Sequence, residues 1–190
     1  MLIGLCGSHR TGKTTLAELL AGKAGIPFVK TGTSEVFREC GLDPSKPIDF
    51  GKRLWIQEKI LDAAEKVWRA GRKQSITDRT PLDMAAYTLG DIQGATEVDF
   101  EALERYLDRC FEATNKFFSM LVLIQPGIPL IHEEGKAALN KGYLEHLNFL
   151  ILGLCNDERV KRKCLCLPRA VMGLDQRAAE VLRMLDKNGP

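Results

Sequence analysis

The chain has 190 residues, of which 45% are hydrophobic and 27% charged, with a formal net charge of +2. That length suits one core-bearing domain spanning 1–190 and is short for two, and the composition argues against both disorder and membrane insertion. The charge is too small by itself to imply a polyanionic partner, no apolar run reaches a membrane span, and the N-terminus lacks a signal-peptide pattern, so a cytoplasmic domain with no membrane partner is expected.

In chain order, the apolar run Leu2 to Cys6 predicts a short buried strand, and Gly12 to Lys23 predicts a helix. Between them Gly7-Ser8-His9-Arg10-Thr11-Gly12-Lys13-Thr14 fits G-x-x-x-x-G-K-[ST]. Glycines let successive backbone N–H groups turn inward on a polyphosphate, and the following helix presents the positive end of its dipole. In that pattern Gly7 through Thr15 bind the phosphates, Lys13 reaches the terminal ones, and the Thr14 hydroxyl sits on Mg²⁺.

Beyond this loop, strands are predicted near Pro27 to Lys30, Ser75 to Thr77, Met120 to Ile124 and Cys164 to Leu167. Helices are predicted over Thr33 to Cys40, Asp49 to Arg69, Asp83 to Asp91, Phe100 to Phe118, Gly142 to Arg159 and Gly173 to Leu185. Strands alternating with helices throughout predict an α/β fold, a five-stranded parallel sheet flanked by helices in three layers. In such folds the ligand lies outside the carboxyl ends of the strands. Gln125 to Lys136 forms a long loop after a strand, and a lid is expected around 125–145.

Thr33 or Ser34 is a plausible cap for the second helix, and the segment from Thr33 to Arg38 reads as the acceptor side of the cleft. In Asp49 to Gln57, Phe50 or Trp55 could stack on a base, although aromatic residues at helical spacing are more often core, and core is favoured for Trp55. Arg53 is a candidate phosphate contact. Asp78 follows the predicted strand Ser75 to Thr77, where a carboxylate facing the phosphate loop can hold Mg²⁺ or accept a proton from an attacking hydroxyl. Arg79 beside it can fix an anionic acceptor or the transferred phosphoryl group.

With the phosphate loop in place, Asp78-Arg79-Thr80-Pro81-Leu82-Asp83-Met84-Ala85-Ala86-Tyr87 resembles the Asp-Arg motif of thymidylate kinases and their nucleoside-kinase relatives. The resemblance implies a P-loop kinase fold, ATP with Mg²⁺, Asp78 as catalytic base or metal-side carboxylate, and Arg79 as phosphate or acceptor contact. Arg10 stands where eukaryotic-type thymidylate kinases carry a loop arginine, which implies that it either neutralises charge on the transferring phosphoryl group or ties the loop down. His9 departs from their aspartate, which contacts the sugar 3′-hydroxyl. It weakens free dTMP as substrate and is also similar to the loop histidine of kinases related to nicotinamide-ribose kinases. The loop with the Thr33, Arg53 and Asp78 segments further resembles small phage-type kinases. One branch of these phosphorylates 5-hydroxymethyldeoxyuridine within DNA to 5-phosphomethyldeoxyuridine, in thymine hypermodification.

That branch is the expected function, with DNA containing a modified pyrimidine as partner and the host cytoplasm as location for a phage-encoded chain. Two alternatives are a deoxynucleoside or deoxynucleoside-monophosphate kinase on free metabolites and a non-kinase ATPase switch, which the chain's size disfavours; a homodimer is compatible with all three. Asp157 to Arg169 holds five basic residues against two acidic ones, which fits a phosphate-binding edge about as well as a solvated helix end. The cysteines at 6, 40, 110, 155, 164 and 166 contain no C-x-x-C, so buried reduced thiols are expected rather than disulfides or zinc. His132, Glu133 and Glu134 lack a histidine at helical spacing and read as a surface loop, and Lys136 and Lys141 are the lid's cations.

Overall fold

The structure is a computed structural model, and it describes residues 2–43, 46, 48–71, 74–130 and 140–188. His132, Glu133, Glu134 and Lys136, with residues 131–139 of the predicted lid, lie outside the described residues. Among the described residues twelve elements follow in the order β1 (Leu2–Cys6), α1 (Lys13–Ala24), β2 (Phe28–Val29), α2 (Thr33–Glu39), α3 (Phe50–Ala70), β3 (Ser75–Thr77), α4 (Pro81–Gly90), α5 (Phe100–Phe117), β4 (Phe118–Ile124), α6 (Lys141–Cys155), β5 (Lys163–Leu167) and α7 (Leu174–Asn188).

The sheet order is β2-β3-β1-β4-β5, and every pairing is parallel. Strand alternation explains the three layers. Leu2 and Cys6 of β1, with Phe118, Leu121 and Leu123 of β4, belong to the core beneath α3, α4, α5 and α6. Ile3 and Leu5, with Val122 and Ile124, belong to the opposite core beneath α1 and α7. Because both faces are covered, the strands read as continuous apolar runs, as parallel sheets require. Placing β1 at the centre, between β3 and β4, brings the carboxyl end of β1 beside that of β3. The loop after β1 and Asp78 after β3 therefore share one edge of the sheet.

Several boundaries differ from the sequence-based expectation for local reasons. Gly32, not Thr33 or Ser34, is the N-cap of α2, and no side chain caps that end. The strand predicted from Met120 begins at Phe118, which stands in extended backbone at the end of α5 while its ring is buried against Trp68. Helix α6 stops at Cys155 rather than Arg159: the Asp157 carboxylate takes the Arg159 backbone N–H and guanidinium, and Arg159 also reaches Asp108 on α5. Trp55 is 42% exposed, against the core expectation, because it lies off the stripe of Phe50, Leu54, Gln57, Leu61, Ala64 and Trp68 that α3 buries. Among the described residues no helix is long and apolar enough to cross a membrane.

Candidate active site

The phosphate loop turns where its glycines allow it. Gly7 has φ of 149°, and a Cβ there would stand 2.3 Å from the Ile124 carbonyl oxygen on β4. Gly12 is left-handed at φ 75° and forms the N-cap of α1 with no side chain capping it. The first N–H groups of α1 are thereby left for an anion, with no acidic residue in the first turn to compete. Arg10 is the non-glycine residue held at positive φ among the described residues, at 59°. Such a conformation costs on the order of 1–2 kcal/mol and persists only where its surroundings impose it.

Two distant side chains, Asp83 and Arg177, hold the loop. The Gly7 N–H donates to Asp83 Oδ1 at 2.7 Å, while Asp83 Oδ2 accepts from the Thr80 N–H and hydroxyl, each at 2.8 Å. Thr80 and Asp83 form a capping box at the start of α4, with Pro81 as the first helical residue. Asp83 is fully buried, and burial raises its carboxyl above the usual range against the pull of Lys13, Arg79 and the Gly7 N–H. From the other side of the sheet, Arg177 on α7 donates to the Thr11 carbonyl at 2.7 Å and is 3% exposed. Burial lowers the pKa of its guanidinium. Within the loop, the Thr11 hydroxyl donates to the Ser8 carbonyl at 2.9 Å.

Lys13 is buried and folds back over the loop, donating to the Gly7 and Ser8 carbonyls, each at 2.7 Å. Burial pushes its pKa down to about 8. Thr14 and Thr15 are exposed at the mouth of the loop. The Thr14 hydroxyl donates to Asp78 Oδ2 at 2.5 Å, so the structure brings together the two residues expected to hold a divalent cation. Asp78 is buried, and its second oxygen, Oδ1, has no hydrogen-bond partner; nor has the buried Ser8 hydroxyl. An orphaned carboxylate oxygen beside a threonine hydroxyl is an oxygen-donor pair suited to a hard cation such as Mg²⁺.

His9 packs into an aromatic group. Its Nδ1 lies 3.2 Å from the Tyr87 hydroxyl, and its ring centroid lies 6.1 Å from that of Tyr87 and 5.9 Å from that of Tyr143. Burial, with Lys13, Arg10 and Arg79 nearby, lowers its pKa to about 4, so the imidazole is neutral at physiological pH. The Arg79 guanidinium packs over the Tyr87 ring, 5.8 Å from its centroid. Burial works against the charge of Arg79, but Tyr87, Asp83 and Asp78 outweigh it and raise its pKa.

Beyond Tyr143, Arg53 on α3 forms an ion pair with Asp91 at the end of α4. Burial raises the Asp91 carboxyl, and Arg53 opposes that rise. These two side chains, with Asp49, Phe50, Thr96 and Glu97, line a cavity of about 600 Å³. Thr33 stands apart from these pairs, half-buried at the first helical position of α2. The structure thus joins Gly7 to Thr14 with Asp78 and places Arg53 at a separate cavity. Asp83 and Arg177 received no role from the sequence. Thr80-Pro81-Leu82-Asp83 carried a legible capping-box signal, whereas nothing local distinguishes Arg177 from an ordinary helix-start arginine.

A left-handed glycine opening an uncapped helix, with a buried lysine laid across the preceding turn, is the build of a P-loop nucleotide-binding protein in a three-layer α/β fold. The chain belongs to the family described as the AAA domain, whose model matches residues 2–118, more than half of its length. The fold is similar to deoxyadenosine kinase from M. mycoides with dCMP and dCDP bound, at 16% identity and a TM-score of 0.69, over 99% of this chain and 100% of that one. It is also similar to thymidylate kinase from Candida albicans, at 14% identity and a TM-score of 0.65, over 98% of this chain and 91% of the other. A NadR protein in complex with NAD and AMP-PNP matches at 15% identity and a TM-score of 0.64, over 100% of this chain and 49% of that one. At these identities the likeness establishes the fold. No curated protein sequence matches the chain.

Proposed function

We propose that the protein is an ATP- and Mg²⁺-dependent kinase that transfers a phosphoryl group to a hydroxyl of a nucleoside or nucleotide. The observation that carries this reading is Asp78: a buried carboxylate with one oxygen on Thr14 and the other unpartnered, at the edge of the phosphate loop. Mg²⁺ on Thr14 and Asp78 would supply charge neutralisation across the phosphates. Gly7 to Thr15 bind the nucleotide, Lys13 turns from the Gly7 and Ser8 carbonyls to the terminal phosphates, and Arg10 and Arg79 contact the transferred group. If Asp78 serves as base instead, its free Oδ1 accepts the acceptor hydroxyl's proton. Arg53, Asp91 and the surrounding cavity take the acceptor, and Thr33, which does not line that cavity, is a further proposed acceptor contact. The two kinase folds matched over essentially the whole chain support a phosphotransferase over a switch.

The finer acceptor, 5-hydroxymethyldeoxyuridine in DNA, rests on the resemblance of the loop, Thr33, Arg53 and Asp78 segments. The basic stretch that could have served DNA is largely engaged internally: Arg159 pairs with Asp157 and Asp108, Arg169 with Glu145, and Arg162 donates to the Asn115 carbonyl. The cavity also carries three carboxylates, Asp49, Asp91 and Glu97, beside Arg53. Both features favour a small acceptor that brings little negative charge into that cavity. A second reading, nucleotide hydrolysis coupled to a partner, has the family's AAA description in its favour.

The deciding experiment offers γ-labelled ATP with deoxynucleosides, dTMP, ordinary DNA and DNA containing 5-hydroxymethyluracil, with Lys13→Ala as the silent control. Label on a deoxynucleoside or dTMP supports the free-acceptor kinase. Label on the modified DNA alone selects the DNA branch. ATP hydrolysis equally fast without any acceptor overturns the kinase reading.

A further inference from the structure

Cys6, Cys155 and Cys164 come from the end of β1, the end of α6 and the start of β5, and their sulfurs all lie within 4.8 Å of one another. The register explains the convergence. Cys6 stands opposite Leu123 on β4 and Cys164 opposite Leu121, two residues apart and so on the same sheet face, where α6 lowers Cys155 between them. Cys6 Sγ lies 3.9 Å from Cys155 Sγ, and all three cysteines are free thiols. The cluster lies outside the nucleotide site, and no local motif marks it, because the three positions are 149 and 9 residues apart with none of the usual short spacings.

We propose that Cys6, Cys155 and Cys164 form a trigonal all-sulfur site for a soft monovalent d¹⁰ cation, of which copper(I) is the fitting member. A metal at the centre of three sulfurs with bonds of about 2.3 Å requires sulfurs about 4.0 Å apart, close to the observed spacing. The donors are soft, and among the described residues no His, Asp or Glu joins them. Three sulfurs without a fourth protein ligand suit a trigonal ion better than zinc, whose structural sites close with four. Cys6 is fully buried among leucines, which shields the site.

Reduced, metal-free protein is titrated anaerobically with copper(I) held by bicinchoninate, with fold checked by circular dichroism. One equivalent should move to the protein, with thiolate-to-copper absorption in the near ultraviolet and three sulfur neighbours at about 2.3 Å by X-ray absorption. At a free ion concentration about 100 times Kd, the melting midpoint should rise by roughly 5–10 °C. Cys155→Ser and Cys164→Ser, which change partly exposed positions and leave β1 intact, should each weaken retention at least tenfold, while Cys40→Ser retains it. Copper remaining with the chelator, two sulfur neighbours, undiminished retention in Cys155→Ser and Cys164→Ser, or zinc held in preference to copper would each overturn the assignment. None of these readouts depends on kinase activity.

Discussion

Replacing Asp83 by Asn tests whether the phosphate loop is set by a residue 76 positions away. The carboxylate accepts three hydrogen bonds, from the Gly7 N–H at 2.7 Å and from the Thr80 N–H and hydroxyl at 2.8 Å each. An asparagine of the same shape offers one oxygen, so its amide must face either the Gly7 N–H or the Thr80 N–H. The Thr80 hydroxyl can rotate to accept, but one buried N–H then loses its partner, at a cost of about 1–3 kcal/mol. A further loss of about 1 kcal/mol follows as the remaining bond ceases to be charge-assisted. Removing the burial penalty that raises the Asp83 carboxyl offsets part of this, while the neighbouring charges of Lys13 and Arg79 lose their counter-ion. The net expectation is a destabilisation of roughly 2–4 kcal/mol, or a fall in melting midpoint of about 5–15 °C, for a domain of this size. Because Gly7 is the anchored residue, ATP affinity should fall at least tenfold in isothermal titration. A variant within about 1 kcal/mol of the parent in urea unfolding, with ATP affinity within twofold, would refute the role given to Asp83.

Asp78→Asn should lower phosphoryl transfer by about 10² to 10⁴ while leaving nucleotide binding largely intact, measured by steady-state turnover beside titration calorimetry. Retained turnover would remove Asp78 from the chemistry. Arg177→Ala frees the Thr11 carbonyl and should weaken nucleotide binding by about 10- to 100-fold, the worth of a buried charged hydrogen bond. Arg177→Lys should not restore it, since an ammonium cannot reproduce the guanidinium geometry. For His9 the pKa is lowered from 6.5 to about 4, so the unfolded chain binds the proton first and stability falls as pH drops through that window. Melting midpoints between pH 4 and 6.5 should show that decline in the parent and a flatter profile in His9→Asn.

How much was legible divides along sequence separation. The loop from Gly7 to Thr14, its flanking strand and helix, and the Asp78 turn are patterns written within a few residues, and the structure has the strand, loop and helix as expected. Trp55 shows the limit of periodicity: a one-position rotation around α3 separates a core aromatic from an exposed one, and the helical pattern around it fitted both. The basic stretch near Arg159 looked like a charged edge because its partners, Asp108 and Glu145, come from other helices.

The sequence by itself determined that a phosphate-binding loop sits on a parallel α/β sheet, because glycine conformations, helix dipoles and strand alternation are local physics. Only the tertiary structure decided what fixes that loop and what surrounds it. The sheet order β2-β3-β1-β4-β5 brings the carboxyl end of β1 beside that of β3, so Asp78 and Asp83 reach the loop. Packing α7 under the sheet inserts Arg177, 166 residues from Thr11, and the register of β1, β4 and β5 gathers three cysteines on one face. Contacts of that kind depend on which elements become neighbours in space, and no local pattern along the chain records it.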